Sequence, residues 1–440
     1  MMLLVIALLT IFTFLTWRNL ETGILLLCAL LPSYLIRFSI MGVPTTFLEI
    51  MALIVIGVWG VRRCITLRTG GSRPAPTQND RILNMAIILL VIAATIGIFI
   101  SPDKLAAVGV WKAFYLEPVL MFFVIRDVMG THKGHPYEYA SKIFRALGVN
   151  ALLVSLFGLV QYFFSIGIPT PWDLERRITS IFDYPNALVL FLEPIIVISW
   201  FEIKKVIPVM GGVPRPRLTT LLFWITVSIL ATINVFLAQS EAGIAALIVT
   251  ALCILVASKR TRKYALASIV IISALVFAIP TSRTYLVEKL TFQDSSEQVR
   301  LSQWKETIEL LKDHSIMGVG LSGYPIALKP YHHDLQYEIF QYPHNIVLNI
   351  WVELGLLGLV AVGLLAFRLG YIAYMWAGHD PPLQIRMQHI MFCAIFFEII
   401  LHGLVDVPYF KNDLAMMVWV LIACMMVMNR GSIYEQKNQG

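Results

Sequence analysis

Long apolar runs separated by short polar segments dominate the 440-residue chain. A helix that crosses a bilayer needs about 20 mostly apolar residues. The pattern predicts about 12–13 transmembrane helices, although the first two runs are short and could be tilted, paired or partly re-entrant. The runs cover residues 3–16, 22–36, 45–61, 82–100, 112–125, 143–165, 186–203, 218–238, 241–257, 264–280, 346–376, 387–404 and 413–428.

Composition agrees with this pattern. Hydrophobic residues make up 58% of the chain and charged residues 14%, whereas soluble domains carry roughly 25% charged residues. A chain this apolar cannot cover a globule with polar surface, so we predict an all-α integral membrane protein that forms one polytopic domain over residues 1–440. The apolar start lacks the features of a cleaved signal peptide, and we expect it to be a retained first span.

Basic residues indicate which segments face the cytoplasm. Short loops rich in Lys and Arg remain on that side, and such clusters occur at 62–81, 126–145, 204–217 and 259–263. Residues 70–80 and 208–216 are Gly/Pro-rich and are expected to be flexible cytoplasmic connections. The outward segments are then 101–111, 166–185, 281–345 and 405–412. This topology accounts for the net charge of +7, so no nucleic-acid partner is implied.

The long outward loop, 281–345, is predicted to carry an amphipathic helix. Asp294 and Glu297 fit a capping box at its start, and Gly318 and Gly320 are expected to end it. A helix of this kind between two spans lies along the membrane surface. Its predicted apolar face holds Leu301, Trp304, Ile308 and Leu311, and its polar face holds Gln303, Lys305, Glu306, Glu309, Lys312 and Asp313.

Arg300 opens this helix in the predicted arrangement. An arginine beside free backbone N–H groups and the positive end of the helix dipole suits a phosphate. The alternative is that Arg300 reaches the membrane surface or pairs with Glu297, and the residues alone leave both open.

His344 and Asn345 stand side by side where the polar loop runs into an apolar helix. Histidine exchanges a proton near neutral pH, so this position suits chemistry at the membrane surface. His332, His333 and Asp334 with His344 suggest a metal site only weakly, because they lack the helical spacing of a zinc motif. We favour solvated loop residues at 332 and 333.

Three further groups lie in outward segments. Arg176 and Arg177 call for an anionic partner, which is a diphosphate, lipid headgroups, or Glu175 and Asp183, with structural pairing slightly favoured. Glu241 follows Ser240 in a very short turn and is either functional or simply in the first turn of a capped helix. His402 is a functional or a buried hydrogen-bonding residue. Asp406, Tyr409 and Lys411 could converge on one external cavity, although Lys411 could simply anchor at the headgroups.

Taken in order, several motifs resemble the O-antigen ligase and O-antigen polymerase family. They are Arg177 before Phe182-Asp-x-Pro-Asn186, Arg300-Leu-x-x-Trp304, Asp313-His-Ser-Ile-Met-Gly318-Val-Gly320, His344-Asn345 through Glu353-x-Gly355, and His402-Gly-x-x-Asp406. The family's members are glycosyltransferases that use polyprenyl-diphosphate-linked sugars outside the membrane.

The resemblance implies a GT-C-like membrane fold and an outward-facing site in the cell membrane. It implies that Arg300 and an arginine of the 166–185 loop hold the donor diphosphate and that His344 is essential, as general base or near the phosphates. The implied reaction is inverting, needs neither metal nor cofactor, and transfers a glycan to a hydroxyl of a glycan, lipid or protein acceptor among the membrane lipids. Candidate substrate-binding residues are Arg300, Arg177, Arg176, Asn345, Glu241, Asp406, Tyr409 and Lys411.

Glu241 departs from the family pattern, because many members carry arginine at that position. A carboxylate cannot hold a diphosphate, so one phosphate contact is absent or has moved, for example to Arg176, and a contact of Glu241 with acceptor hydroxyls is the alternative. The sequence does not separate a ligase from a polymerase. The alternative class is a transporter of a small anion such as bicarbonate, which should show broken helices and charges at the bilayer midplane.

Overall fold

A computed structural model describes residues 2–40, 42–68, 80–131, 136–206, 218–291, 295–334, 336–378 and 383–439. Residues 70–79 and 208–216 of the expected flexible connections lie outside the described residues, and so does Asp294, the expected helix cap.

Helices form almost all of the described chain. They are α1 (Met2–Arg18), α2 (Leu20–Ala29), α3 (Phe47–Arg68), α4 (Arg81–Ile100), α5 (Lys104–Val110), α6 (Glu117–Thr131), α7 (Pro136–Phe164), α8 (Pro185–Val206), α9 (Leu218–Leu237), α10 (Glu241–Ala257), α11 (Arg262–Ala278), α12 (Pro280–Leu290), α13 (Ser295–Asp313), α14 (Tyr324–Ala327), α15 (Ile346–Gly378), α16 (Leu383–Gly403) and α17 (Asn412–Gln439). A π-helical turn, Trp111–Leu116, joins α5 to α6 without interruption.

The predicted class, an all-α integral membrane protein, is confirmed. Within the described ranges, eight helical segments are long and apolar enough to cross a bilayer, and α1, α2 and α10 are shorter apolar helices. The eight are 47–68, 81–100, 104–130, 137–164, 185–205, 218–237, 346–375 and 412–429.

The run at 22–36 does not form one spanning helix. α2 ends at Ala29, a 3-10 turn occupies Leu31–Leu35, and a short antiparallel hairpin follows, with β1 (Arg37–Ile40) paired to β2 (Val43–Thr46). Ten helical residues extend only about 15 Å at 1.5 Å per residue, about half the thickness of a hydrocarbon core. The hairpin was not predicted, because the apolar pattern gives no sign of it.

α8 and α17 form the centre of the bundle. Most of the length of each is buried, and α8 packs on α9 and α16 while α17 packs on α6 and α7. A helix that is apolar all round is stable only when other helices or lipid surround it.

α15 is broken at Gly355, whose φ of 65° and ψ of −164° are non-helical. The break receives the segment that precedes it in the chain: Val319 N–H donates to the Val352 carbonyl at 2.7 Å, and Leu356 N–H donates to the Ile316 carbonyl at 2.9 Å. The resemblance motif Glu353-x-Gly355 is thus a docking point for the Gly318-Val-Gly320 segment, and both pack beside Gly97 of α4.

The amphipathic helix exists, but three of its residues do not lie on the predicted faces. Gln303 and Glu306, expected on the polar face, are buried, and Ile308, expected on the apolar face, is 50% exposed. The cause is Glu306, whose carboxylate accepts hydrogen bonds from the backbone N–H groups of His333 and Asp334. The helix therefore turns a polar side toward its own loop. It also ends at Asp313, before the two glycines that were expected to end it.

Candidate functional site

His344 lies next to a buried carboxylate. Its Nδ1 is 3.5 Å from Oδ1 of Asp406, which sits in the turn between α16 and α17. The imidazole is 21% exposed, whereas the carboxylate is 2% exposed. His344 also has a positive φ of 46°, a conformation that non-glycine residues seldom adopt and that is concentrated at functional sites. The distance is longer than a good hydrogen bond, as is common before a substrate is bound.

Asp406 is held in place and kept ionised. Its Oδ2 accepts a hydrogen bond from Asn186 at 2.9 Å, and its Oδ1 accepts one from Val407 N–H at 2.8 Å. Burial acts to raise the pKa of Asp406, but His344, His402 and the Val407 N–H outweigh burial and lower it. A carboxylate so placed can orient the imidazole, and the substrate-binding role expected for Asp406 stays a prediction.

Aromatic rings enclose His344. Phe340 and Tyr342 meet the imidazole edge-on with ring centroids 5.2 and 5.3 Å away. The hydroxyl of Tyr342 shares a hydrogen bond of 2.8 Å with that of Tyr184, at the start of α8. The 166–185 and 281–345 segments, both predicted to face outward, therefore meet at this end of the bundle.

Trp304 ties α13 to the histidine. Its indole N–H donates to the carbonyl of Pro343 at 2.9 Å, one residue before His344. Arg300 lies four residues earlier, so it shares a helical face with Trp304. The Arg300-Leu-x-x-Trp304 motif thus brings a guanidinium to the neighbourhood of His344, and its charge acts on the imidazole of His402.

The prediction that Arg300 opens the helix is wrong. α13 begins at Ser295, so Arg300 lies beyond the first turn, where backbone N–H groups are no longer free. Its half-buried guanidinium makes no hydrogen bond or ion pair with any residue in the described ranges. The alternative pairing with Glu297 is not seen among the described residues, where a contact 3.9 Å long joins Glu297 to Lys289.

Asn345 caps α15. Its Oδ1 accepts from the N–H groups of Val347 and Leu348, each at 3.0 Å, and its Nδ2 donates to the carbonyl of Leu404 at 2.9 Å. This amide joins the start of α15 to the turn that carries Asp406. The side chain expected to bind substrate is therefore already engaged in placing the His344–Asp406 pair.

The two loop arginines differ in their surroundings. Arg177 donates from Nε to the carbonyl of Ala238 at 3.0 Å, lies 3.5 Å from Glu175, and stacks on Trp172. The bond to Ala238 fastens the loop to the end of α9. The contact with Glu175 is the structural pairing that the sequence slightly favoured. Arg176 is exposed and stacks on Tyr162 at 5.5 Å. Within the described residues, no hydrogen bond or ion pair joins either arginine to His344 or Arg300.

Glu241 forms an ion pair with Lys289 of α12 at 2.6 Å. Ser240 caps α10 and accepts a hydrogen bond from Gly243 N–H, so Glu241 does lie in the first turn of a capped helix. The position in a capped helix does not exclude a functional role, because the Glu241 side chain is still 58% exposed in that turn.

Tyr409 and Lys411 enter the protein interior. The Tyr409 hydroxyl donates to the Phe114 carbonyl and accepts from the Trp419 indole, so both of its hydrogen bonds are made within the bundle. The Lys411 ammonium lies among aromatic rings, 4.3 Å from Phe182, and 3.9 Å from Asp413. Burial lowers the pKa of Lys411, and nearby carboxylates offset this only in part.

The loop histidines have carboxylate partners. Nδ1 of His332 lies 3.0 Å from Glu306 and Nε2 lies 2.9 Å from the Tyr337 carbonyl, while His333 is exposed and 3.4 Å from Glu309. Among the described residues, no cluster with metal-binding geometry includes either of them or His344. His332 is thus not the solvated residue that was expected.

Acidic residues buried within the bundle were missed. The sequence interpretation placed the unusual polar groups on the outer side, but Glu49, Glu117, Glu193 and Glu398 are all buried inside helices, as is Glu353 of the resemblance motif. A glutamate within an apolar run is costly and usually functional, so the signal was available in the runs at 186–203 and 387–404.

The fold and site define a multi-pass α-helical membrane protein with a histidine–carboxylate pair at one end of its bundle. Residues 226–363 match the family model described as O-antigen ligase, which confirms the family resemblance seen in the motifs and supports a glycan-transferring function. No curated protein matches the chain. The matched region contains Glu241, Arg300, His344 and Asn345 and stops before Asp406.

Proposed function

We propose that this protein transfers a glycan from a polyprenyl-diphosphate carrier to an acceptor hydroxyl, on the outer side of the cell membrane. The observation that carries the proposal is the His344–Asp406 pair, 3.5 Å apart, together with Arg300, which is unpaired among the described residues. We include in this proposal that the reaction inverts the anomeric carbon and that its chemical step needs no metal. These two points rest on the family resemblance.

His344 acts as the general base. Asp406 faces the Nδ1 side of the ring at 3.5 Å and so favours the tautomer that leaves Nε2 free to take a proton from the acceptor hydroxyl. The hydroxyl oxygen then bonds to the anomeric carbon, and the bond to the diphosphate oxygen breaks. Phe340 and Tyr342 restrict the imidazole to one orientation.

Arg300 holds the leaving diphosphate. A planar guanidinium can bind two phosphate oxygens at once and stabilise the charge that develops on them. Arg300 suits this role because it is half-buried and unpaired among the described residues, whereas Arg177 is already bound to a carbonyl. Arg176, exposed and without an ion pair among those residues, is the better candidate of the loop pair for a second phosphate contact.

The test is a transfer assay with purified protein in liposomes that contain a polyprenyl-diphosphate oligosaccharide. His344→Ala should abolish transfer, while His333→Ala, which removes an exposed histidine of the same loop, should leave it unchanged. A ladder of products would identify a polymerase, and a single block on an added acceptor would identify a ligase. Transfer by folded His344→Ala at the wild-type rate would refute the role of His344.

Two observations favour the transporter alternative: the break in α15 and the buried glutamates inside the bundle. The break, however, offers no free backbone groups for an ion at Val352 or Leu356, because the 316–319 segment satisfies them. Uptake of labelled bicarbonate into proteoliposomes, with no turnover of any lipid-linked donor, would move the assignment to transport.

A further inference from the structure

Three chemistry-bearing side chains converge inside the bundle, apart from the His344–Asp406 pair. Glu193 of α8 and Glu398 and His402 of α16 each offer a ligand-type atom, and these atoms all lie within 4.8 Å of one another. Each of the three residues is 1% exposed. Glu193 lies eight residues into α8, about 12 Å along the helix axis from its start at 1.5 Å per residue.

The group is not satisfied by its protein neighbours. Nδ1 of His402 lies 2.7 Å from Oε2 of Glu193, but Oε1 of Glu193, both carboxylate oxygens of Glu398 and Nε2 of His402 have no hydrogen-bond partner. Within the described residues, no lysine or arginine forms an ion pair with either carboxylate; Arg300 acts on His402 only at longer range. Buried carboxylates without counter-charge are strongly unfavourable, so the arrangement requires either a bound cation or a proton shared between the two carboxyl groups.

We propose that Glu193, Glu398 and His402 bind one divalent metal ion. Two carboxylates and a neutral imidazole balance the charge of such an ion, and an oxygen–oxygen–nitrogen set suits Zn²⁺ or Mn²⁺. With bonds of about 2.0–2.2 Å, ligand atoms in a tetrahedral site are roughly 3.3 Å apart. The carboxylates therefore draw together around the ion, and the Glu193–His402 contact opens by roughly 0.6 Å.

The ion has a structural role, because it joins helices that place the candidate base. His402 accepts a backbone hydrogen bond from Asp406 N–H at 3.1 Å, and Asn186 at the start of α8 binds the Asp406 carboxylate. A metal linking α8 to α16 thus braces both supports of Asp406. α10 covers the cluster at Gly243, where a β-carbon would approach Oε1 of Glu193 to 2.6 Å. No step of the transfer reaction passes through the ion.

The experiment uses the full-length protein in detergent, stripped with a chelator and then titrated with Zn²⁺ or Mn²⁺. Bound metal is measured by mass spectrometry and calorimetry, and the melting temperature is followed in parallel. We expect one ion per chain and a melting temperature that rises when the ion is returned. Glu398→Gln should weaken binding at least about 100-fold, since a carboxylate that contacts the ion directly is lost. Glu353→Gln, which alters a buried glutamate outside the cluster, should bind as the wild type does.

Two results would overturn the site. If stripped wild type takes up no stoichiometric ion and chelation leaves its melting temperature unchanged, the two carboxyl groups share a proton instead, and Glu398→Gln should then be as stable as wild type. If Glu398→Gln binds the ion as tightly as wild type, the ion lies elsewhere. Neither result depends on transfer activity, so failure of the proposed enzyme function is distinguishable from failure of this site.

Discussion

Gly355 packs directly against Ile316: a β-carbon at Gly355 would overlap the Ile316 carbonyl oxygen and lie 2.7 Å from the carbonyl carbon of Met317. Its backbone angles also fall in a region that is essentially restricted to glycine. The break in α15 and the loop that fills it are therefore one unit, and they set the direction in which the first half of α15 leaves His344.

Gly355→Ala should destabilise the protein by at least ~1–3 kcal/mol, the cost of such a backbone conformation for other residues, with the overlap adding to it. Gly363→Ala, two turns later in the same helix, has open space around its β-carbon and is the matched control. Melting temperatures in detergent compare the two variants. Equal stability would mean that the break is not under steric control.

Asp406→Asn should lower the turnover number about 100-fold or more, within the range for impaired general base catalysis, because an amide no longer fixes the tautomer of His344. Asn186→Ala should have a smaller effect, since the Val407 N–H still holds the carboxylate. Turnover is measured at saturating donor beside the melting temperature. A loss explained entirely by unfolding would contradict the positioning role.

Arg300→Ala should raise the apparent KM for the lipid-linked donor by about 10- to 100-fold, because a charge-assisted phosphate contact contributes roughly 1.5–3 kcal/mol. Arg300→Lys should retain part of that affinity, since ammonium keeps the charge and loses the paired donors. Neither should change the melting temperature much. If alanine and lysine had identical effects, bidentate phosphate binding would be excluded.

Arg177→Ala should show the opposite pattern. It removes the hydrogen bond to the Ala238 carbonyl and the stacking on Trp172, so the melting temperature should fall by a few degrees while the donor KM of the folded protein changes little. Arg176→Ala, its exposed neighbour, is the control for stability. A large KM effect without destabilisation would assign Arg177 to the donor.

The His332–Glu306 pair should make the stability of the 331–338 loop depend on pH. The hydrogen bond to Glu306 raises the pKa of His332. The stabilisation that protonated His332 gives the loop is complete below the ordinary histidine pKa and is lost as pH rises through the raised value. Burial acts to raise the pKa of Glu306, but hydrogen bonds from His332, Asp334 and His333 lower it. That contribution is present above the ordinary glutamate pKa and is lost as pH falls through the lowered value.

Proteolysis of the native protein measures this dependence. Cleavage in the 331–338 loop should be slowest between the two ordinary pKa values, about 4.5 and 6.5, and should accelerate in mildly alkaline buffer. His332→Gln should remove the alkaline rise, whereas His333→Gln, on an exposed histidine, should keep it. Rates are corrected for the protease's own pH dependence, and a flat corrected profile for wild type would contradict the prediction.

The class of the protein and most of its helices could be predicted, because lipid imposes a minimum length of apolar helix that is visible in one dimension. His344 and Arg300 could be singled out for a similar reason: a titratable group at the end of an apolar helix stands out locally. The burial of Glu306 on α13 could not be predicted, because its partners at 332–334 belong to the following loop.

The carboxylate partner of His344 was also beyond sequence reasoning. Asp406 was noted as one polar residue among several, and only the fold brings its turn against the start of α15 through Asn345 and Leu404. The same holds for Arg177 and Tyr409. Both side chains could bind a ligand, but Arg177 already donates to a backbone carbonyl and Tyr409 already accepts from an indole. Residue type indicates which contacts are possible, and packing decides which are made.

The boundary of the family match limits how this protein could be recombined with its relatives. A chimera that exchanged residues 226–363 alone would transplant Arg300 and His344, yet it would leave Asp406 and Asn186 with the recipient. The histidine would then come from one parent and its carboxylate partner from the other. Successful hybrids should therefore be those whose exchanged block extends through the α16–α17 turn, or whose recipient already supplies an aspartate and an asparagine at those two places.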